Sequence, residues 1–105
     1  MAFSSQRASA LIDKSRLEYQ CNHVVNEVIY GNKNVGGNAM GYLLYGVKVG
    51  KPSAGVVVVG KDGVHVGVFI NDTEFIHSSS SKYKVIKAPL SQLPYVFPRG
   101  YELRK

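Results

Sequence analysis

Cysteine is nearly missing from this 105-residue chain: Cys21 stands alone. A single thiol excludes an internal disulfide framework and a four-cysteine zinc site, and it raises the question of whether that thiol is a nucleophile. Long apolar runs are missing too. The longest, Gly55 to Val59, falls far short of the roughly 20 residues that cross a bilayer, so no transmembrane helix is expected. The first residues, Met1 to Arg7, lack the basic start and apolar stretch of a secretory signal. Acidic residues are scarce, with seven Asp and Glu against thirteen Lys and Arg and a formal charge of +6. That imbalance favours polyanions such as nucleic acid, an anionic membrane surface or a cell wall. No basic run reaches five residues, however, and the tightest group, Lys82, Lys84 and Lys87, reads as a solvated strand face. Residues 31–41 are rich in glycine and asparagine but match no phosphate-cradling pattern; they read as a loop.

What is present is a globular composition, 45% hydrophobic and 19% charged. It fits one small domain over residues 1–105, in which 1–16 are an N-terminal helix or a linker remnant. Ser4 or Ser5 caps a helix with apolar positions Ala8, Leu11 and Ile12. Val24, Val25, Val28 and Ile29 repeat that spacing after Cys21, and Gly31 and Asn32 end the second helix. Tyr42 to Val49 fits a short helix or a strand. The second half reads as short strands: Val56–Val59, Val64–Ile70, Glu74–His77, Tyr83–Ile86 and Tyr95–Leu103, the last broken by Pro98 and Gly100. Helices first and an antiparallel meander second give an α+β fold with helices packed on one sheet face.

Three side chains carry the chemistry. Cys21 opens a helix, where the N-terminal partial charge favours a thiolate. A thiolate that attacks a carbonyl needs a base, and His is the natural one near neutral pH. His65 and His77 lie across one turn. A two-residue turn at Asn71–Asp72 places them on opposite faces. A three-residue turn, the expected version, places both on one face, about 5–8 Å apart at Cβ. Gly67 then leaves that face open. His23 points away from the thiol around the helix and reads as structural. Cys21, His65 and His77 lack any metal-site spacing, so neither a metal nor another cofactor is expected.

The segment His65-Val-Gly-Val-Phe-Ile-Asn-Asp-Thr-Glu-Phe-Ile-His77-Ser78 resembles the signature of the NlpC-type papain-like cysteine peptidases and amidases, a family of bacterial cell-wall hydrolases. The preceding Gly55–Gly60 resembles the family's strand before that histidine, and Cys21–Tyr30 occupies the place of its nucleophile helix. The resemblance spans about residues 17–103. It implies a papain-like fold with Cys21 as nucleophile, His65 as base and His77 as the group that orients His65. Gln20, Asn22 and His23 replace the family's usual Asp, Ser and Gly around the cysteine, so the substrate pocket differs. Tyr19, Gln20 and Asn22 are the expected substrate-binding residues. The implied substrate is an amide bond in peptidoglycan stem peptides. The basic, leaderless chain suggests a toxin or effector domain, secreted or delivered into a target bacterium without a signal peptide. An acidic immunity protein across the cleft is then an expected partner. Two alternatives stay open: a papain-like toxin that cleaves, deamidates or acylates an intracellular protein, and a basic nuclease that uses the two histidines.

Overall fold

A computed structural model describes residues 3–105; residues 1 and 2 of the expected N-terminal segment lie outside the described residues. Helix α1 spans Ser5–Leu11, and Ser4 caps it by accepting a hydrogen bond from Arg7 N at 3.3 Å. Its Ala8 and Leu11 are buried against helix α2, Cys21–Tyr30. Arg7 ties the two helices together, because its guanidinium donates to the carbonyls of Glu27 at 3.0 Å and Val28 at 2.8 Å in the last turn of α2. The Val28 carbonyl is one that a helix end leaves without an internal partner, while the Glu27 carbonyl also accepts from Gly31 N at 2.9 Å. Val24, Val25, Val28 and Ile29 are poor intrinsic helix formers, yet all are buried in α2. Their burial, worth roughly 1.5–3 kcal/mol per side chain, outweighs the propensity cost of a few tenths each. Gly31, at φ 78°, ends the helix in the left-handed region that glycine adopts without a Cβ penalty.

Five antiparallel strands follow: β1 Val57–Gly60, β2 Val66–Phe69, β3 Glu74–Ser79, β4 Lys84–Pro89 and β5 Tyr101–Arg104. Their order is β4-β3-β2-β1-β5. Period-two alternation divides the core. Val57, Val59, Val66, Val68, Ile76 and Val85 pack toward α1 and α2, while Val56, Val58, Phe69, Phe75 and Ala88 pack with Leu93 and Phe97 on the other face.

That second cluster corrects the expectation of helices on one sheet face. A 3₁₀ turn at Leu90–Gln92 and a short helix α3, Leu93–Val96, cover the opposite face. The stretch reads as a strand because Tyr95, Val96 and Phe97 are strand-prone. Pro94, however, sits in the first helical turn, where its fixed φ suits the helix. Two other elements also differ. Met40–Leu44 is a 3₁₀ helix, which shortens the glycine-rich loop, and β3 runs past His77 to bury Ser78 and Ser79. Ser78 tolerates burial because its hydroxyl donates to Tyr19 O at 2.6 Å and accepts from Arg16 Nη1 at 3.2 Å.

Both sheet edges are covered in part by extended backbone. Residues 13–16 run along β4 through Asp13 N to Val85 O, Val85 N to Lys14 O and Arg16 N to Tyr83 O. Residues 47–49 do the same for β5 through Val47 N to Lys105 O and Val49 N to Leu103 O. Among the described residues no helix is long and apolar enough to cross a membrane.

Candidate active site

The hairpin between β2 and β3 decides which residues meet. Val68 pairs with Ile76 and Phe69 with Phe75, so the turn is the three-residue one, Asn71 to Thr73. Asn71 Oδ1 builds that turn by accepting from Thr73 N at 2.9 Å and Glu74 N at 2.8 Å. This register brings Gly67 across from His77. A Cβ on Gly67 would stand 2.9 Å from Ile76 O and 3.3 Å from His77 Cβ, so the close approach requires glycine.

On the face away from α2, His65 Nε2 lies 2.9 Å from His77 Nδ1, with the rings edge to face. Phe97 packs beside His65 and Phe75 beside His77, with centroids 5.4 Å apart in each pair. His77 is only 4% exposed, and its Nε2 finds no partner among the described residues. Burial, aided by the Arg16 charge, pushes His65 down to about 4, with Asp62 opposing weakly. Burial, then the His65 ring and Arg16, pushes His77 down to about 3. Both imidazoles are therefore neutral at pH 7.

Cys21 is the first residue of α2, as expected. Its Sγ lies 3.8 Å from Val64 O, one residue before His65, and among the described residues no hydrogen bond joins it to either imidazole. Burial pushes the thiol above its ordinary value. The Val66 backbone, Arg16 and the Asn22 and Cys21 backbone oppose that shift without overcoming it. This differs from the expected pull toward a thiolate, because desolvation is the largest influence on the thiol at this helix start.

The expected substrate contacts scatter. Tyr19 offers its carbonyl to Ser78, and its ring lies under Lys33 Nζ, 5.0 Å from the centroid. Gln20 caps α2, and its N–H donates to His23 Nδ1 at 3.2 Å, which gives His23 its structural role. Asn22 Nδ2 donates to Gly37 O at 3.4 Å. None of the three lines the groove that opens beside the imidazoles. That groove, ≈ 720 Å³, is bordered by Arg16, Val64, the two histidines, Lys82, Lys87 and Tyr95. Arg16 is the site residue that no local pattern marks. The backbone bonds of residues 13–16 to β4 deliver it, and its Nη1 donates to the Ser78 carbonyl and hydroxyl. The lysine group also divides. Lys84 pairs with Asp13 at 2.9 Å and Lys87 with Glu74 at 3.6 Å, while Lys82 and Lys87 border the groove.

No family model matches the chain, and no curated protein matches it. Among solved structures the chain is similar to NlpC1 from Trichomonas vaginalis, with a TM-score of 0.73 at 17% sequence identity over 96% of this chain and 42% of that one. The chain thus spans less than half the length of NlpC1. The likeness is one of fold: this α+β chain has an NlpC-like fold.

Proposed function

We propose that the chain is a papain-like cysteine hydrolase of amide bonds, with Cys21 as nucleophile, His65 as general base and His77 as its orienting partner. The observation that carries this reading is the 2.9 Å contact from His65 Nε2 to His77 Nδ1. When His65 Nε2–H donates to His77 Nδ1, the proton of His77 sits on Nε2 and His65 Nδ1 is unprotonated. That is the tautomer a base requires. The opposite tautomer puts a proton on His65 Nδ1 and leaves no base.

The proposed reaction assigns each residue one role. Cys21 gives its proton to His65 Nδ1, and Sγ bonds to the amide carbon. The carbonyl electrons move to oxygen, where the Cys21 N–H at the start of α2 is one donor for the oxyanion. The amine leaves with the proton from His65 and a thioester remains. Water, deprotonated by His65, then releases the acid and the thiol. His77 accepts from His65 throughout and stabilises the imidazolium.

Within this reading the first substrate to test is the stem-peptide amide of peptidoglycan, because the His65–Ser78 segment resembles cell-wall hydrolases. A toxin or effector setting, with an acidic immunity protein across the groove, belongs to the same reading. The nuclease alternative is weaker. Acid–base cleavage of RNA by two histidines needs one imidazolium, and burial keeps both rings neutral at pH 7.

The test is digestion of purified peptidoglycan by wild type and Cys21→Ala, with products resolved by mass spectrometry. Released muropeptides that fall by at least about 10³-fold in the variant support the reading. Products that survive in Cys21→Ala remove it. No products, with a thiol that alkylates in a His65-dependent way, move the substrate to an intracellular protein.

A further inference from the structure

We propose that His23 is a proton-dependent positioning residue for the nucleophile. Neutral, it fixes the Tyr19–Gln20 peptide group that leads into Cys21; protonated, it releases that group and slows attack by the thiol. The inference rests on the cysteine-hydrolase reading and concerns the regulation of that same site.

One peptide plane stands directly ahead of the nucleophile, and both of its polar ends are held. The Tyr19 carbonyl accepts from the Ser78 hydroxyl at 2.6 Å, and the Gln20 N–H donates to His23 Nδ1 at 3.2 Å. Ser78 is fully buried in β3 and directly follows His77. Gln20 is the N-cap of α2, and Cys21 is its first helical residue. The plane thus joins the strand of the imidazole pair to the helix of the thiol. Its tilt sets where the Cys21 N–H and Sγ stand relative to His65. The Ser78 hydroxyl does not titrate near neutrality, so its grip is constant. His23 grips only while Nδ1 keeps its lone pair.

A capping box ordinarily takes Glu or Gln at the third helical position, and those side chains still accept hydrogen bonds in mild acid. A neutral imidazole accepts through one nitrogen only. With Nδ1 accepting, the His23 proton sits on Nε2, so a second proton goes to the very atom that holds Gln20. The acceptor becomes a donor facing another donor. The imidazolium also stands in the first turn of α2, where the macrodipole disfavours a cation. Burial, and then the Lys33 charge from the loop after α2, hold His23 below its ordinary value. Lys33 Nζ donates to Glu18 O at 3.0 Å. The carboxylates of Glu18, just before Tyr19, and Glu27, one turn along α2, act on Tyr19 and not on His23. The charge that acts on the Cys21 thiol is that of Arg16. The influence of His23 on Cys21 therefore passes through the backbone.

The test measures Cys21 alkylation by iodoacetamide, and the amide signals of Gln20 and Cys21, from pH 7.5 to pH 5. That range lies above the titrations of His65 and His77. In wild type both amide signals should move with the midpoint of the His23 ring, and in His23→Gln, which keeps a non-titrating acceptor, they should stay still. The alkylation rate of wild type relative to His23→Gln should fall by about 2-fold across the range. At pH 7.5 His23→Ala should be about 5-fold slower than wild type, and His23→Gln should recover most of that loss. A constant ratio, or amide signals that ignore the His23 midpoint, overturns the proposal; these two readouts decide even if His23→Ala fails to fold. A His23→Gln as slow as a folded His23→Ala also overturns it, because the ring and not its acceptor would then matter. An inert thiol beside amide signals that follow His23 removes the hydrolase reading and keeps the proton-dependent grip on the helix start. A thiol that reacts in a His65-dependent way, with unmoved amides and a constant ratio, does the reverse.

Discussion

Under the proposed mechanism, His65 sets the pH response of catalysis. It works as a base only when neutral, and burial holds it down to about 4. The acid limb of kcat/KM is therefore expected near pH 4, with most activity kept at pH 5.5. A pH profile of hydrolysis or of Cys21 alkylation reads this directly. A limb near 6.5 would mean that the base is a solvated imidazole. His77 is expected to act through His65: His77→Ala should lower kcat by about 10–100-fold, and His77→Asn, which keeps an acceptor for His65 Nε2, should recover much of that loss. At this scale the sequence was informative where side-chain parity governs. The twelve-residue spacing of the histidines and the Asn71-Asp72-Thr73 turn placed both rings on one face. Arg16 was not legible, because its position depends on pairing with Tyr83 and Val85, far along the chain. The thiol's protonation was not legible either, since it depends on how deeply α2 is buried.

Among elements, the β2–β3 hairpin carries the most weight, because a one-residue slip would turn His77 to the α2 face. Gly67 fixes the spacing within it. Gly67→Ala places a methyl 2.9 Å from the backbone oxygen of Ile76, an atom that yields only by shifting the strand. The expected cost is about 1–3 kcal/mol in denaturant unfolding, with activity falling more than stability alone accounts for. Full activity and an unchanged midpoint would show that the strand relaxes freely. Of the elements, α2 and β1 through β3 were legible from apolar periodicity. The Leu90–Val96 turns were not, because strand-prone side chains and one proline give opposing local signals there, and packing of Leu93 against the sheet decides between them.

For the whole molecule, the two buried histidines make folding sensitive to acid. Unfolded, each titrates near 6.5; folded, they sit at about 4 and about 3. Between those values the unfolded chain binds more protons, so stability falls as pH drops below about 6.5 and levels off only below about 3. A Tm loss of about 10–20 °C is expected between pH 7 and pH 4.5, beginning before most carboxylates titrate. His77→Asn should flatten that slope, as thermal unfolding across the range would reveal.

The backbone straps along β4 and β5 bear on association as well. Where residues 13–16 and 47–49 lie, the outer amides and carbonyls are already spent. Beyond the first strap, β4 ends in Lys87 and Pro89, a charge and a residue with no amide hydrogen to offer. Strand addition, the commonest way for an extended peptide to join a sheet and for a misfolded neighbour to seed a fibril, is thus blocked along much of both rims. Under the proposed function a peptide substrate would be gripped by side chains and turns, and concentrated solutions of the chain should resist edge-to-edge aggregation.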